Sequence, residues 1–168
     1  MNTYCQLART ALTHWIRHGQ SQPDSVHYGK KAACFVSLHH ADGSLRGCIG
    51  TLSPSHSDLA QEIQANAIAA GTRDPRFPSV TEEELAGLKF DVSVLDPPET
   101  IADATALDPA TFGVIVSSAG RRGVLLPGLE GINTVAQQLK IARHKAGIGK
   151  SEPVQLSRFK VEWHHEDR

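Results

Sequence analysis

The sequence predicts an α+β fold built from hairpins with packed helices rather than from βαβ crossovers. Three observations point there. Two apolar stretches fold back on themselves around tight-turn residues, "AACFVSLHHADGSLRGCIGTL" and "GVIVSSAGRRGVLLPGL". Two segments carry apolar residues at helical spacing, and capping residues mark the start of the second of them and of a later helix. No strand-helix-strand repeat of the kind a parallel sheet needs recurs along the 168 residues. That length suits one domain, with two lobes at most, and is enough to bury a substantial core.

Each element follows in chain order. Residues 2–18 read as a helix, with Cys5, Ala8, Leu12, Trp15 and Ile16 on one stripe. Ala32 to His40 reads as a strand, Asp42-Gly43 as a two-residue hairpin loop, and Leu45 to Leu52 as the returning strand. Pro54 and Ser55-x-x-Asp58 mark a helix start, and that helix runs to about Thr72 with Leu59, Ile63 and Ala67 inward. "RDPRFPSV" (Arg73 to Val80) is an irregular loop held by two prolines, and Thr81-x-x-Glu84 opens a short helix. Phe90, Val92 and Val94 alternate as a half-buried strand. Gly113 to Leu129 forms the second hairpin, apolar on both faces and therefore central. Residues 134–147 form a helix capped by Thr134-x-x-Gln137. "RFKVEWHH" closes the chain as a strand that completes a sheet, with Phe159, Val161 and Trp163 inward.

Composition narrows function. Hydrophobic residues make up 40% and charged residues 21%, and the formal net charge is −1. Without a basic excess, broad attraction to nucleic acid or membrane is not indicated. No run of about 18 apolar residues exists to span a bilayer, and the amphipathic N-terminus lacks the apolar centre of a signal peptide. The three cysteines, Cys5, Cys34 and Cys48, have no C-x-x-C spacing and are odd in number, so neither a zinc ribbon nor a disulfide framework is expected. A reducing cytoplasm is the expected setting. Neither histidine pair, His39-His40 or His164-His165, chelates one metal simply, because neighbours on a strand point to opposite faces. H-E-x-x-H, P-loop and G-x-S-x-G motifs are absent, and the residues name neither a metal nor a cofactor.

The first hairpin concentrates the chemistry. An Asp42-Gly43 loop pairs Ala41 with Ser44, sets His39 opposite Arg46 and sets Ser37 opposite Cys48. Residues directly opposite share a face. One face then carries Val36, Leu38, Leu45 and Ile49, and the other Ser37, His39, Arg46 and Cys48. A three-residue loop would flip this register. A thiol acts as a nucleophile or redox centre only as thiolate, and a neighbouring cation or histidine draws its pKa from about 8.5 towards neutrality. Arg46 is the candidate cation, or the candidate bidentate ligand of an anion. Gly47 and Gly50 leave the backbone bare for close approach. The plain alternative is that Cys48 is inert packing. "DPRFP", with Asp74 and Arg76, is either a pocket lid or a self-capped turn. "AGRRG" sets Arg121 and Arg122 at a hairpin tip, as phosphate or carboxylate ligands or as solvated turn residues.

At "LRGCIGTL" the chain resembles the AMMECR domain family, and within it the bacterial AmmeMemoRadiSam system protein A group. "AIAAGTRDPRFPSV", "DVSVLDPPE", "RRGVLLPGLEG", "TVAQQLKIARHKAGI" and "EPVQLSRFKVEW" extend the resemblance nearly end to end in the same order. The resemblance implies a single domain over residues 1–168, a compact α+β fold of two lobes with antiparallel or mixed sheets, and a cleft near residues 45–52. Carried over by position, that cleft takes in Arg46, Gly47, Cys48, Gly50, Asp74, Arg76, Phe77 and Arg122. The chain departs from many members at Phe112-Gly113, where they have a histidine before the glycine. Bacterial members are associated with a Memo-like protein, similar to metal-dependent extradiol dioxygenases, and with a radical S-adenosylmethionine (radical SAM) protein. Two readings follow. In one, Cys48 is the catalytic thiol of an enzyme for a small anionic substrate, Arg46 positions the anion and His39 shuttles protons. In the other, the same cleft binds a ligand or partner proteins without chemistry.

Overall fold

The computed structural model describes residues 2–23 and 25–166. The chain is α+β and divides into two compact units, one running to Leu95 and resuming at Glu162, the other Asp96–Val161.

The first unit holds α1 (Thr3–His18), β1 (Ala33–His39), β2 (Leu45–Gly50), α2 (Leu59–Thr72), a 3-10 turn (Glu82–Gly87) and β3 (Lys89–Leu95). Asn2 caps α1 by accepting from the Tyr4 and Cys5 amides, and Gly19 closes it in the left-handed conformation that glycine adopts freely. The predicted stripe is inward, though Leu7 and Ala11 are buried more completely than Trp15 and Ile16. α2 starts at Asp58, not at Ser55: Asp58 accepts from the Ala60 amide, while the Ser55 amide donates to Glu62. Thr81 and Glu84 form the capping box expected of them. The sheet has the order β2-β1-β3-β8, where β8 is Val161–His165. Cys34, Val36 and Leu38 of β1 and Phe90, Val92 and Val94 of β3 form one core with Leu12 of α1 and Ile63 of α2. β3 is buried on its other face as well, at Asp91 and Ser93, and so is more enclosed than its alternation predicts.

The first hairpin corrects the predicted loop. The His40 amide donates to the Ser44 carbonyl at 2.9 Å, and the Gly43 amide donates to His40, so the loop is Ala41-Asp42-Gly43, with Gly43 at φ +88°. Three residues instead of two move the pairing by one, and His39 faces Leu45 rather than Arg46. The register shifts again between Leu38 and His39, because Arg46 is an unpaired bulge residue. Beyond the bulge, Ser37 faces Cys48 and Val36 faces Ile49, as predicted. Leu45, expected on the core face, is 36% exposed.

The second unit contains β4 (Glu99–Ile101), β5 (Gly113–Ser118), β6 (Arg121–Leu125), α3 (Val135–Ala146) and β7 (Gln155–Phe159). Its sheet has the order β4-β7-β5-β6. Val114, Val116 and Leu125 pack with Ala142 and Ile148 in a separate core. β5 is central, as its apolar run predicts, whereas β6 is the edge. Thr134 and Gln137 form the predicted capping box of α3. The closing strand is broken at Lys160 into β7 and β8, which join different sheets. Phe159 is buried, but Trp163 is 44% exposed, contrary to its predicted inward position. The pairings β1–β2, β1–β3, β4–β7, β5–β6 and β5–β7 are all antiparallel.

Candidate functional site

Cys48 is the least enclosed of the three cysteines. Cys5 and Cys34 are fully buried, and burial pushes the Cys34 thiol up to about 12, which leaves it protonated and inert. Cys48 is half-buried on the edge strand β2. The Ser37 hydroxyl donates to its sulfur at 3.3 Å. Its amide donates outward to Asp74 Oδ2 at 3.0 Å, so the loop after α2 closes the free edge of the strand at this point.

Asp74 is 4% exposed and organises the loop. It accepts from the Arg76 amide and from Arg76 Nε, each at 3.0 Å, and from Arg76 Nη2 at 2.8 Å. The Arg76 guanidinium, and next the backbone amides of Cys48 and Arg76, hold its carboxyl well below the usual carboxylate range despite burial. Arg76 is held charged in turn by Asp74. Its side chain is more than half exposed and lies 5.4 Å from the centre of the Phe77 ring. Asp74 therefore links Arg76 to the Cys48 backbone, and Phe77 lies against Arg76.

Arg46 is placed differently from its expected role. The bulge turns it to Glu84, which accepts from its Nε at 2.9 Å and from Nη2 at 3.2 Å. The guanidinium is 5.9 Å from the centre of Phe77, and Nη1 is buried without a hydrogen bond among the described residues. Arg46 is 5% exposed, and its hydrogen bonds lower the Glu84 carboxyl pKa. Sequence reasoning read Glu84 only as a helix cap. The same carboxylate serves both the cap and the arginine.

The two glycines answer to packing. A Cβ on Gly47 would lie 2.3 Å from the Ala70 carbonyl oxygen, so the residue admits α2 against the strand. A Cβ on Gly50 would enter the Phe35 ring. His39 shares the Ser37 face of β1 but turns to Asp91: its Nδ1 is 3.1 Å from Asp91 Oδ2, outside hydrogen-bond geometry, while His165 Nδ1 and Asp91 Oδ1 are hydrogen-bonded at 2.9 Å. Asp91 was not singled out from the sequence, and His165 was weighed there only as half of a histidine pair. The available signal was an acid inside the apolar run "FDVSV", but its place opposite Ser37 depends on the long-range β1–β3 pairing. Arg122 belongs to the second unit, opposite Ser117 on β6. Among the described residues no group of three His, Cys, Asp or Glu is arranged to hold a metal ion, and no helix is long and apolar enough to cross a membrane.

The chain matches the family model described as AMMECR1 over residues 5–164. It is 46% identical over 166 residues to a protein of Thermotoga maritima, covering 95% of both chains. It is 44% identical over 169 residues to a protein of Clostridium acetobutylicum, of which it spans only 36% while 97% of this chain is matched. The crystal structure of a Pyrococcus horikoshii protein, titled as uncharacterized, superposes with a TM-score of 0.88 at 29% identity, covering 98% of this chain and 90% of that one.

Proposed function

The chain belongs to the AMMECR1 family, and from that premise we propose that it is a cysteine-dependent enzyme acting on a small anionic substrate, with Cys48 as the reacting thiol. The observation that carries the reading is the environment of that sulfur. It is partly reachable, it accepts a hydrogen bond from Ser37, and buried Asp74 grips both the Cys48 amide and the exposed guanidinium of Arg76. A hydroxyl donor and a cation both favour thiolate over thiol. Arg76 takes over the anion-positioning role expected of Arg46, whose charge is occupied by Glu84. His39, held towards Asp91, is the candidate for proton transfer on the Ser37 face of β1. Within the family the chain stands with the AmmeMemoRadiSam system protein A group, working in one pathway with a Memo-like protein and a radical SAM protein. The Clostridium relative, roughly two thirds of which lies outside the match, is consistent with work alongside other domains.

One observation favours a non-catalytic binding module of the same system: with Arg46 paired to Glu84, no second free cation stands at the thiol among the described residues. Alkylation separates the two readings. Native protein is pulsed with iodoacetamide from pH 5 to 9, and each cysteine peptide is quantified by mass spectrometry, with Cys5 and Cys34 as buried internal controls. The enzyme reading expects Cys48 to react selectively and, near neutral pH, faster than an unstructured cysteine peptide. Reaction no faster than that peptide removes thiol catalysis and leaves the binding module.

A further inference from the structure

The second unit carries Arg122 next to the tip of its β5–β6 hairpin. β5 and β6 are joined by a two-residue loop, Ala119-Gly120, with φ of +47° and +80°. Positive φ at both positions makes the tight turn that matches strand twist, and alanine adopts it only at a cost. The turn sets Arg121 opposite Ser118 and Arg122 opposite Ser117, and Ser117 also faces Gln155 of β7. Arg122, Ser117 and Gln155 thus form one row across three strands. A Cβ on the next residue, Gly123, would lie 2.0 Å from the Ala142 carbonyl oxygen, so Gly123 faces α3 and the row lies on the opposite side of the sheet.

That row lines a cavity of about 550 Å³, together with Ser118, Arg121 and Pro153. The volume falls in the range of small-molecule sites. Among the described residues no acidic side chain lines it. Of its two arginines, Arg121 is committed: it donates to the Gly147 carbonyl at 2.7 Å and pairs with Glu152, whose carboxyl it lowers below the usual range. No carboxylate pairs with Arg122 among the described residues. The cavity therefore has one uncompensated guanidinium, flanked in register by a serine hydroxyl and a glutamine amide.

We infer that this cavity is a binding subsite for the phosphoryl group of a small phosphorylated molecule. Arg122 supplies a two-pronged charged donor, and Ser117 and Gln155 supply neutral donors from the neighbouring strands. A phosphate monoester presents three terminal oxygens and fits this spread of donors on three strands better than a carboxylate does. The rest of the cavity takes the organic body of the ligand. The inference does not depend on Cys48, and either reading survives the failure of the other.

The test is an amide NMR titration of the full chain with phenyl phosphate, with benzoate as the carboxylate arm and inorganic phosphate as the bare-anion arm, all at constant ionic strength. Saturable shifts at Ser117, Ser118, Gly120 and Gln155 with phenyl phosphate are expected. Arg122→Ala should weaken binding about tenfold or more, the usual worth of a hydrogen bond to a charged group, and Arg122→Lys should restore part of it. Arg122 is exposed, so its removal leaves the core untouched. No saturable shift with any arm, or shifts unchanged by Arg122→Ala, overturns the subsite. Benzoate binding as tightly as phenyl phosphate overturns the phosphoryl assignment, and inorganic phosphate binding as tightly as phenyl phosphate overturns a site for an organic body.

Discussion

The Ser37 hydroxyl and the Cys48 sulfur meet across β1 and β2 at 3.3 Å, because a one-residue shift at the hairpin loop is undone by a one-residue bulge at Arg46. A neutral hydrogen bond of this kind is worth about 0.5–1.5 kcal/mol. Ser37→Ala is accordingly expected to slow alkylation of Cys48 several-fold at pH 7 while leaving the urea midpoint nearly unchanged. An unaltered rate would mean the hydroxyl is only a neighbour.

Arg46 and Glu84 behave as a structural pair. The hairpin pattern alone places Arg46 off the core face, which predicts that Arg46→Ala leaves the fold intact. Its burial reverses that expectation. Breaking the pair costs most where it strands the buried charge: Glu84→Gln leaves the buried Arg46 guanidinium without its counter-charge and should cost about 3–5 kcal/mol. Arg46→Ala leaves Glu84, 31% exposed, to be hydrated and should cost less, chiefly through lost packing of the arginine stem. Urea melts of the two single variants and the double variant measure the coupling, and additive effects would refute the pairing.

The hairpin also marks the limit of what the sequence discloses. The strands, the caps at Thr81 and Thr134, and the facing of Ser37 and Cys48 are local and legible. Asp42-Gly43 advertises a tight loop, but a three-residue loop ending in a left-handed glycine uses the same letters. The bulge that restores the register has no letter of its own. Gly47 and Gly50 attract attention as a bare surface for a ligand. Their cause, the close approach of Ala70 and of Phe35, appears only once the helix and strand are packed. The roles of Asp91 and Glu84 rest on pairings of distant segments, which local periodicity does not contain.

Gly47 and Gly123 do the same work in the two units. Each admits a helix carbonyl, of Ala70 and Ala142 respectively, where a Cβ would sit at 2.3 and 2.0 Å. The obstacle is backbone, which yields poorly. Gly47→Ala and Gly123→Ala should each destabilise by at least the 1–3 kcal/mol or so typical of overpacking. Hydrogen exchange should show each loss confined first to its own unit. Equal melts for wild type and both variants would mean that the helices move aside at little cost.

The closing segment gives a paired prediction. Phe159 is 2% exposed and lies against Gly113, whereas Trp163 is 44% exposed. Phe159→Ala should cost about 3–5 kcal/mol, as buried aromatics do. Trp163→Ala should fall within about 1 kcal/mol of wild type, as surface changes do. Chemical denaturation of both decides it, and the reverse ranking would restore the inward tryptophan that alternation predicts.

The Asp74 clamp sets an acid dependence whose sign is fixed by its lowered carboxyl. A carboxyl with a folded pKa below its unfolded value of about 3.9 takes up protons less readily in the folded state. Its contribution to stability is fully present above about pH 4 and is lost as pH falls below that value towards the folded pKa. Asp74→Asn removes the charge that Arg76 grips and the acceptor that holds the Cys48 amide as an ion. The stability gap between wild type and Asp74→Asn should therefore be constant from pH 5 to 8 and shrink steadily below pH 4. Guanidinium chloride would screen the pair, so urea is the denaturant to use. The same variant releases Arg76 from the carboxylate that also grips the Cys48 amide, so Cys48 alkylation at pH 7 should slow even where the fold persists. A gap that stays constant into acid would show that Asp74 acts as a neutral hydrogen-bond acceptor. An unchanged alkylation rate would show that Arg76 does not govern the thiol.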